Sequence, residues 1–270
     1  MKLKDIYKVE KEFHDNWAKS LSLDEINFKQ AFETITATEN RFALSQMLPI
    51  KGKHILDIGC GMGDTSIYFG LKGAKVDAVD ISPGMISVVK KLASKYKLSR
   101  TVKAEVMVAE KLEFPDSTFD FVFGNGLLHH TNHKLTLKEV YRVLKPGGKA
   151  FFIEPLAHNF LINVYRKKAS DVRTSTEKPL IYKELSNMTT EKFNNRYHKE
   201  FHFFTLLIFI WFYIVQKSDP NKERYWKKII DDSKKIEKGF KILYSLDKVF
   251  LKGIPFLRKY CWNTVLVFEK

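Results

Sequence analysis

Asp57, Gly59, Gly61, Gly63 and Asp80 have the types and spacing of a device that holds something small and charged. The first four lie in "LDIGCGMGD", where an apolar run ends in a glycine-rich turn that opens a helix. Three ligands compete for such a turn: a nucleoside triphosphate, a dinucleotide and a positively charged sulfonium nucleoside. A triphosphate loop needs Lys and then Ser or Thr after its last glycine, yet Gly63 is followed by Asp64. A dinucleotide fingerprint places its third glycine three residues after the second, whereas Gly59, Gly61 and Gly63 alternate. Asp57, near the carboxyl end of the strand, would repel a pyrophosphate and favour a cation. S-adenosylmethionine, which carries an ammonium and a sulfonium, meets that requirement.

A second acid tests the idea. A nucleoside at the switch point of a doubly wound sheet needs an acceptor for its ribose diol at the end of the next strand, about 20 residues on. Asp80 closes "KVDAVD" at that place, and "SPGMISVVKKLASKYK" follows as a helix capped by Ser82 with Pro83 at its first position. A hydroxyl or amine that takes up a methyl group must also lose a proton, and histidine is the usual base near neutral pH. "GNGLLHH" sets His129 and His130 just beyond a fourth strand, making His130, with His129 beside it, the first candidate and His158 the second. The alternative is that the paired histidines only hydrogen-bond loop backbone.

The elements needed to position these residues are arranged in order. "LDIGCG", "VDIS", "AEKLEFPDSTFDFVFGNGLLHH" and "RVLKPGG", between about Lys53 and Glu154, resemble the class I S-adenosylmethionine-dependent methyltransferases, in particular the small-molecule, type 11 group. The resemblance implies an α/β fold: a Rossmann-like, doubly wound, seven-stranded and mostly parallel sheet. It implies S-adenosylmethionine as cofactor, with Gly59, Gly61 and Gly63 beside its methionyl part, Asp80 on the ribose, and Ala109 and Glu110 at the adenine. Asp57, Cys60, Ile81 and Asn125 fall at further cofactor-binding positions. One departure is Val108, where the family commonly carries Asp.

The chain of 270 residues reads as one large domain: an N-terminal helical cap over 1–50, the cofactor core over 51–154, and over 155–270 a substrate-covering helical insertion with the last two strands. The cap offers Thr38 as a helix cap and His14, Trp17, Glu39 and Arg41 as site-lining candidates. The insertion offers Glu154, Tyr165, Arg166 and Arg173 as substrate-binding residues. After the fourth strand the chain reads Asn125, Gly126, Leu127, Leu128 rather than the Asp/Asn-Pro-Pro-aromatic tetrad of enzymes that methylate base amino groups or glutamine. Asp and Asn do not cluster as a metal-dependent catechol site requires, so no metal is expected. A small-molecule, sugar or lipid acceptor is the class left.

Formal net charge is +15, divided as about −1, +5 and +11 over the three segments. Biased composition and attraction to an anionic partner both account for it. Two cysteines, Cys60 and Cys261, suit a reducing cytoplasm, and the charged N-terminus lacks the apolar centre of a secretory signal. "FHFFTLLIFIWFYIV", Phe201 to Val215, is too short to span a bilayer, about 30 Å thick. Its first residues are expected to form strand six and the rest a buried helix. Trp211, Phe212 and Tyr213, with the lysine-rich stretch behind them, also suggest a peripheral contact with an anionic membrane. An RNA methyltransferase, with nucleic acid the less favoured partner, and a catalytically silent cofactor-binding protein remain the alternatives.

Overall fold

Short apolar strands alternating with amphipathic helices leave one economical solution, a sheet with helices on both faces. In a computed structural model, which describes residues 3–189 and 191–270, the strands are β1 (His54–Ile58), β2 (Lys75–Asp80), β3 (Val102–Val106), β4 (Phe119–Asn125), β5 (Leu144–Pro155), β6 (Asn195–Phe201) and β7 (Asn263–Glu269). They form a seven-stranded sheet in the order β3-β2-β1-β4-β5-β7-β6. β1 to β5 are parallel, and β7 runs antiparallel between β5 and β6. The order reverses between β1 and β4, and a ligand crevice opens at the carboxyl ends of strands at such a point.

Among the described residues, three α-helices precede the sheet: α1 (Leu3–Ser20), α2 (Gln30–Glu33) and α3 (Thr38–Met47). The first two residues of the expected N-terminal helix lie outside the described residues. α4 (Asp64–Leu71), α5 (Pro83–Lys95) and α6 (His133–Val143) connect the parallel strands. Period-2 alternation sends Ile55 into the core shared with α2 to α5 and Leu56 into the core shared with α6, so β1 is sealed on both faces. The Ser82 hydroxyl accepts the Met85 N–H and caps α5, as the sequence suggests.

After β5 comes α7 (Phe160–Lys168), and between β6 and β7 lie α8 (Leu207–Ile214), α9 (Tyr225–Asp231) and α10 (Ser233–Gly253). Ile162 and Tyr165 of α7, Phe209 and Phe212 of α8, Ile229 of α9 and Phe240 of α10 build a core of their own beside the sheet. The insertion is thus interrupted by a strand.

Two expectations are corrected. β6 is "NRYHKEF" and ends at Phe201, where strand six was expected to begin; its residues are mostly exposed, so an edge strand here carries no apolar run for the sequence to show. Ala37, not Thr38, caps α3, because the Thr38 hydroxyl donates to Glu39 inside the helix. Within α8 the apolar stretch divides: Ile208, Phe209 and Phe212 are buried, while Leu207, Trp211, Tyr213 and Ile214 are exposed. Among the described residues no helix is long and apolar enough to cross a membrane.

Candidate active site

A cavity of about 380 Å³ opens at the switch point, within the usual range of small-molecule sites, about 300–1,000 Å³. The turn after β1 forms one wall. Gly59 and Cys60 donate their N–H groups to Val79 O at 2.8 and 3.0 Å, tying the turn to β2. Gly61 has φ +49° and a Cβ there would meet nothing within 4 Å, so bare backbone faces the cavity and a ligand can approach it closely. Asp80, buried at the end of β2, accepts the Gly61 N–H on Oδ2 and the Ser82 N–H on Oδ1, each at 2.9 Å.

Asp57 is buried at the same wall, and Ser66 Oγ donates to its Oδ2 at 2.5 Å. Burial raises the Asp57 carboxyl to about 7, and the charges of Asp64 and Asp80 push the same way against the Ser66 hydrogen bond. Burial also raises Asp64 and Asp80. Three strained carboxyls around one cavity favour a ligand that brings positive charge, and S-adenosylmethionine fits that donor set. A consequence is a pH-dependent grip. With its pKa raised, Asp57 costs the free protein stability as pH climbs toward about 7, and a bound cation relieves that cost by favouring the ionised form. Affinity for S-adenosylmethionine is therefore expected to rise as pH climbs toward about 7 and to level off above it, more steeply than for S-adenosylhomocysteine, which lacks the sulfonium. Calorimetric titration of both ligands checks this; equal slopes would detach Asp57 from cofactor binding.

α1 roofs the cavity. Tyr7, Glu10, His14 and Trp17 recur at helical spacing on its inward face, and all line the space. Glu10 is buried, and His130 Nδ1 lies 2.9 Å from its Oε1, Thr174 Oγ1 donates to the same oxygen at 2.8 Å, and Thr176 donates to it as well. His14 faces the other oxygen at 3.6 Å. Burial alone would raise Glu10, but the hydrogen bond with His130 and the nearness of His14 outweigh it and hold the carboxyl at about 2. Burial, then the neighbouring His129, lowers the pKa of His130 in spite of Glu10. At neutral pH this is a neutral imidazole donating Nδ1–H to a carboxylate, which leaves Nε2 as an acceptor.

His129 differs. Its Nδ1 lies 2.6 Å from Glu154 Oε2, and Glu154 also accepts the N–H groups of Leu127 and Leu128 at 2.9 and 2.7 Å. Burial lowers His129 to about 3 and raises Glu154 to about 7. The pair fixes the rim after β4.

Of the residues singled out in the sequence, His14, Trp17, Glu39, Asp57, Gly59, Cys60, Gly61 and Asp80 line this cavity, as do Ile81, Ala109, Glu110, Asn125, His129, His130 and Arg173. Six do not. Gly63 caps α4 at φ +83°, and a Cβ there would come within 2.7 Å of Val89, so its role is packing. Glu154 lies beneath the rim rather than facing substrate. His158 is exposed and accepts the Tyr182 N–H at 3.3 Å, because Asn159 starts α7 next to it and turns it outward. Tyr165 stacks on Tyr225 at 5.0 Å within the insertion's core. Arg166 donates to Asn163 Oδ1 and Leu156 O behind the wall. Arg41 is exposed. Sequence reasoning missed Glu10, Thr174, Glu177 and Arg224. Only Glu10 left a signal, an acid on the inward stripe of an amphipathic helix.

Comparison with known proteins fits this geometry. Residues 56–152 match the family model described as "Methyltransferase domain". Demethylmenaquinone methyltransferase of Symbiobacterium thermophilum is 38% identical over 107 residues, 38% of this chain and 43% of that one. Phosphoethanolamine N-methyltransferase 3 of Arabidopsis thaliana is 34% identical over 131 residues, 47% of this chain and 26% of that one. The chain thus spans less than half the length of these relatives. Phosphoethanolamine N-methyltransferase 2 of Haemonchus contortus, solved with S-adenosyl-L-methionine, shares the fold: TM-score 0.57 at 21% identity, over 86% of this chain and 52% of that one.

Proposed function

We propose that this chain, whose residues 56–152 match the methyltransferase domain family, is a class I enzyme that transfers a methyl group from S-adenosylmethionine to an oxygen or nitrogen of a small-molecule, sugar or lipid acceptor. The observation that carries the reading is the pair of the buried Glu10 and the half-buried His130, which lines one cavity with the glycine turn.

S-adenosylmethionine supplies a methyl group on a positively charged sulfur, an electrophile that needs no further activation. The chain's part is to hold and to deprotonate. Asp80 keeps a free lone pair on each oxygen for ribose hydroxyls, Gly61 offers bare backbone to the methionyl part, and Ala109 and Glu110 border the adenine end. Asp57 and Asp64 set the negative potential there. Opposite them, His130 Nε2 takes the proton from the acceptor hydroxyl or ammonium, and Glu10 stabilises the imidazolium that results. Thr174 and Thr176 fix the Glu10 carboxylate, and Glu154 with His129 holds the loop that carries the base. The roof formed by α1 limits water, which strengthens these charge interactions.

Both relatives bear names of small acceptors rather than nucleic acids. The exposed Trp211, Ile214 and Val215 around α8, with Lys217 following, suit an anionic membrane surface as the acceptor's source. Transfer of tritiated methyl from S-adenosylmethionine into extract fractionated as lipid, small molecules and RNA is the test. Label is expected in the lipid or the small-molecule pool. Label confined to RNA would replace this reading with an RNA methyltransferase, and cofactor binding without label in any pool would leave a catalytically silent binding protein.

A further inference from the structure

The wall facing the aspartates is basic. Arg173 and Arg224 both line the cavity, Arg173 from the segment after α7 and Arg224 from the residue before α9. Arg224 rests over the Trp17 ring at 3.8 Å and near the Phe13 ring at 5.8 Å, and among the described residues none accepts a hydrogen bond from its guanidinium. It forms no ion pair among the described residues. Arg173 is paired with Glu177. Arg166, behind them, bonds only neutral oxygens, and its Nε is buried without a partner. Burial and the charge of Arg173 lower Arg166 to about 10, and burial lowers Arg224 as well. Three guanidinium groups share Glu177 as the carboxylate within their own cluster, with Tyr165 and His129 as the other titratable groups facing them.

His129, His130 and Glu177 could bring ligand atoms within 4.8 Å of one another. A divalent cation there would meet three positive side chains and would have to displace Arg173 from Glu177. An anion would meet the same side chains with attraction. Thr174, next in sequence to Arg173, bonds Glu10 and lies 3.4 Å from His130 Nδ1, so the basic wall adjoins the base.

We propose that Arg173 and Arg224 form an oxyanion subsite that holds a phosphate or carboxylate group of the methyl acceptor while its nucleophilic atom faces His130, with Arg166 as a fixed charge behind. The planar forks of two arginines suit either oxyanion through paired N–H donors. The inference rests on the methyl-transfer reading for the word acceptor; the subsite itself rests on the arginines.

Calorimetric titration of inorganic phosphate and of acetate into the full chain, with S-adenosylhomocysteine present, tests it. At least one anion is expected to bind the wild type, about tenfold more weakly to Arg224→Met and to Arg173→Met, and unchanged to Arg196→Met, which alters an exposed residue of β6. Arg224→Lys, which keeps the charge and loses the fork, should fall between. Should Arg173→Met unfold because Glu177 loses its partner, Arg224→Met still decides, since it breaks no ion pair; a thermal melt of each variant tells these cases apart. Dihexanoyl phosphatidate as a third probe separates the sources: tighter Arg224-dependent binding than inorganic phosphate assigns the group to a lipid, and equal or weaker binding to a soluble acceptor, the subsite standing in either case. Absence of binding by all three probes, or equal affinity in Arg224→Met and Arg196→Met, overturns the proposal. If S-adenosylhomocysteine binds and the anions do not, the subsite alone falls; if the anions bind and S-adenosylhomocysteine does not, the methyl-transfer reading falls and the subsite stands.

Discussion

Replacing His130 with alanine is expected to lower turnover by about 10²- to 10⁴-fold, the range of a positioned general base, while affinity for S-adenosylhomocysteine stays close to that of the wild type. The expectation rests on position. His130 faces the cavity from the rim after β4, and its Nδ1 is committed to Glu10 at 2.9 Å, so substitution removes a proton acceptor without touching the glycine turn. The pH profile gives a second reading. Burial places the His130 pKa below its ordinary value of about 6.5, so activity should rise with pH through a limb below that value and then level off. Glu10 supports the protonated form, and Glu10→Gln should therefore move the limb to still lower pH as turnover falls. Single-turnover rates across the acid range measure both effects. Wild-type turnover in His130→Ala would return the imidazole to a loop-holding role, like that of His129.

Asp80→Ala should cost cofactor affinity on a comparable scale. Two charge-assisted hydrogen bonds to a ribose diol, at about 1.5–3 kcal/mol each, amount to roughly 10²- to 10⁴-fold in dissociation constant. The carboxylate also accepts the Gly61 and Ser82 N–H groups at 2.9 Å each, so the alanine leaves two backbone donors without their partner and loosens the turn. A lowered melting temperature should accompany the weaker binding. Asp80→Asn, which keeps one oxygen acceptor, separates the two contributions: it should recover part of the affinity and less of the charge selectivity. Calorimetry with S-adenosylhomocysteine reads the result, and an affinity unchanged in the alanine variant would move the ribose away from Asp80.

The sequence made the cofactor side legible and the acceptor side nearly opaque, for a physical reason. The turn after β1, Asp80 and the rim after β4 are each a strand end followed by a helix start, and local spacing encodes such junctions. Glu10, Thr174 and Thr176 meet across 164 and 166 residues of chain, and no local pattern announces that meeting. Arg224 was hidden differently, inside a lysine-rich run whose charge suggested an anionic membrane rather than the cavity; its neighbour Lys222 is exposed, whereas Arg224 turns in over Trp17 and Phe13. Edge strand β6 was lost because half-exposed strands need few apolar residues. His158, Tyr165 and Arg166 were drawn to the rim by their nearness to β5, but α7 begins at once and turns them out or down.

α1 carries one further consequence. Five residues after Glu10, Asp15 accepts the Ser82 hydroxyl at 2.6 Å and the Gly84 N–H at 2.9 Å, at the start of α5 beside Asp80. Five residues of helix span only about 7.5 Å and do not flex. The contact with the cofactor-side helix and the partner of the base therefore sit on one stiff rod, and neither can be seated without the other. Cofactor binding that tightens the seat of α1 on α5 is therefore expected to favour the position of Glu10 against His130 as well, and any such coupling to acceptor binding is reciprocal by necessity.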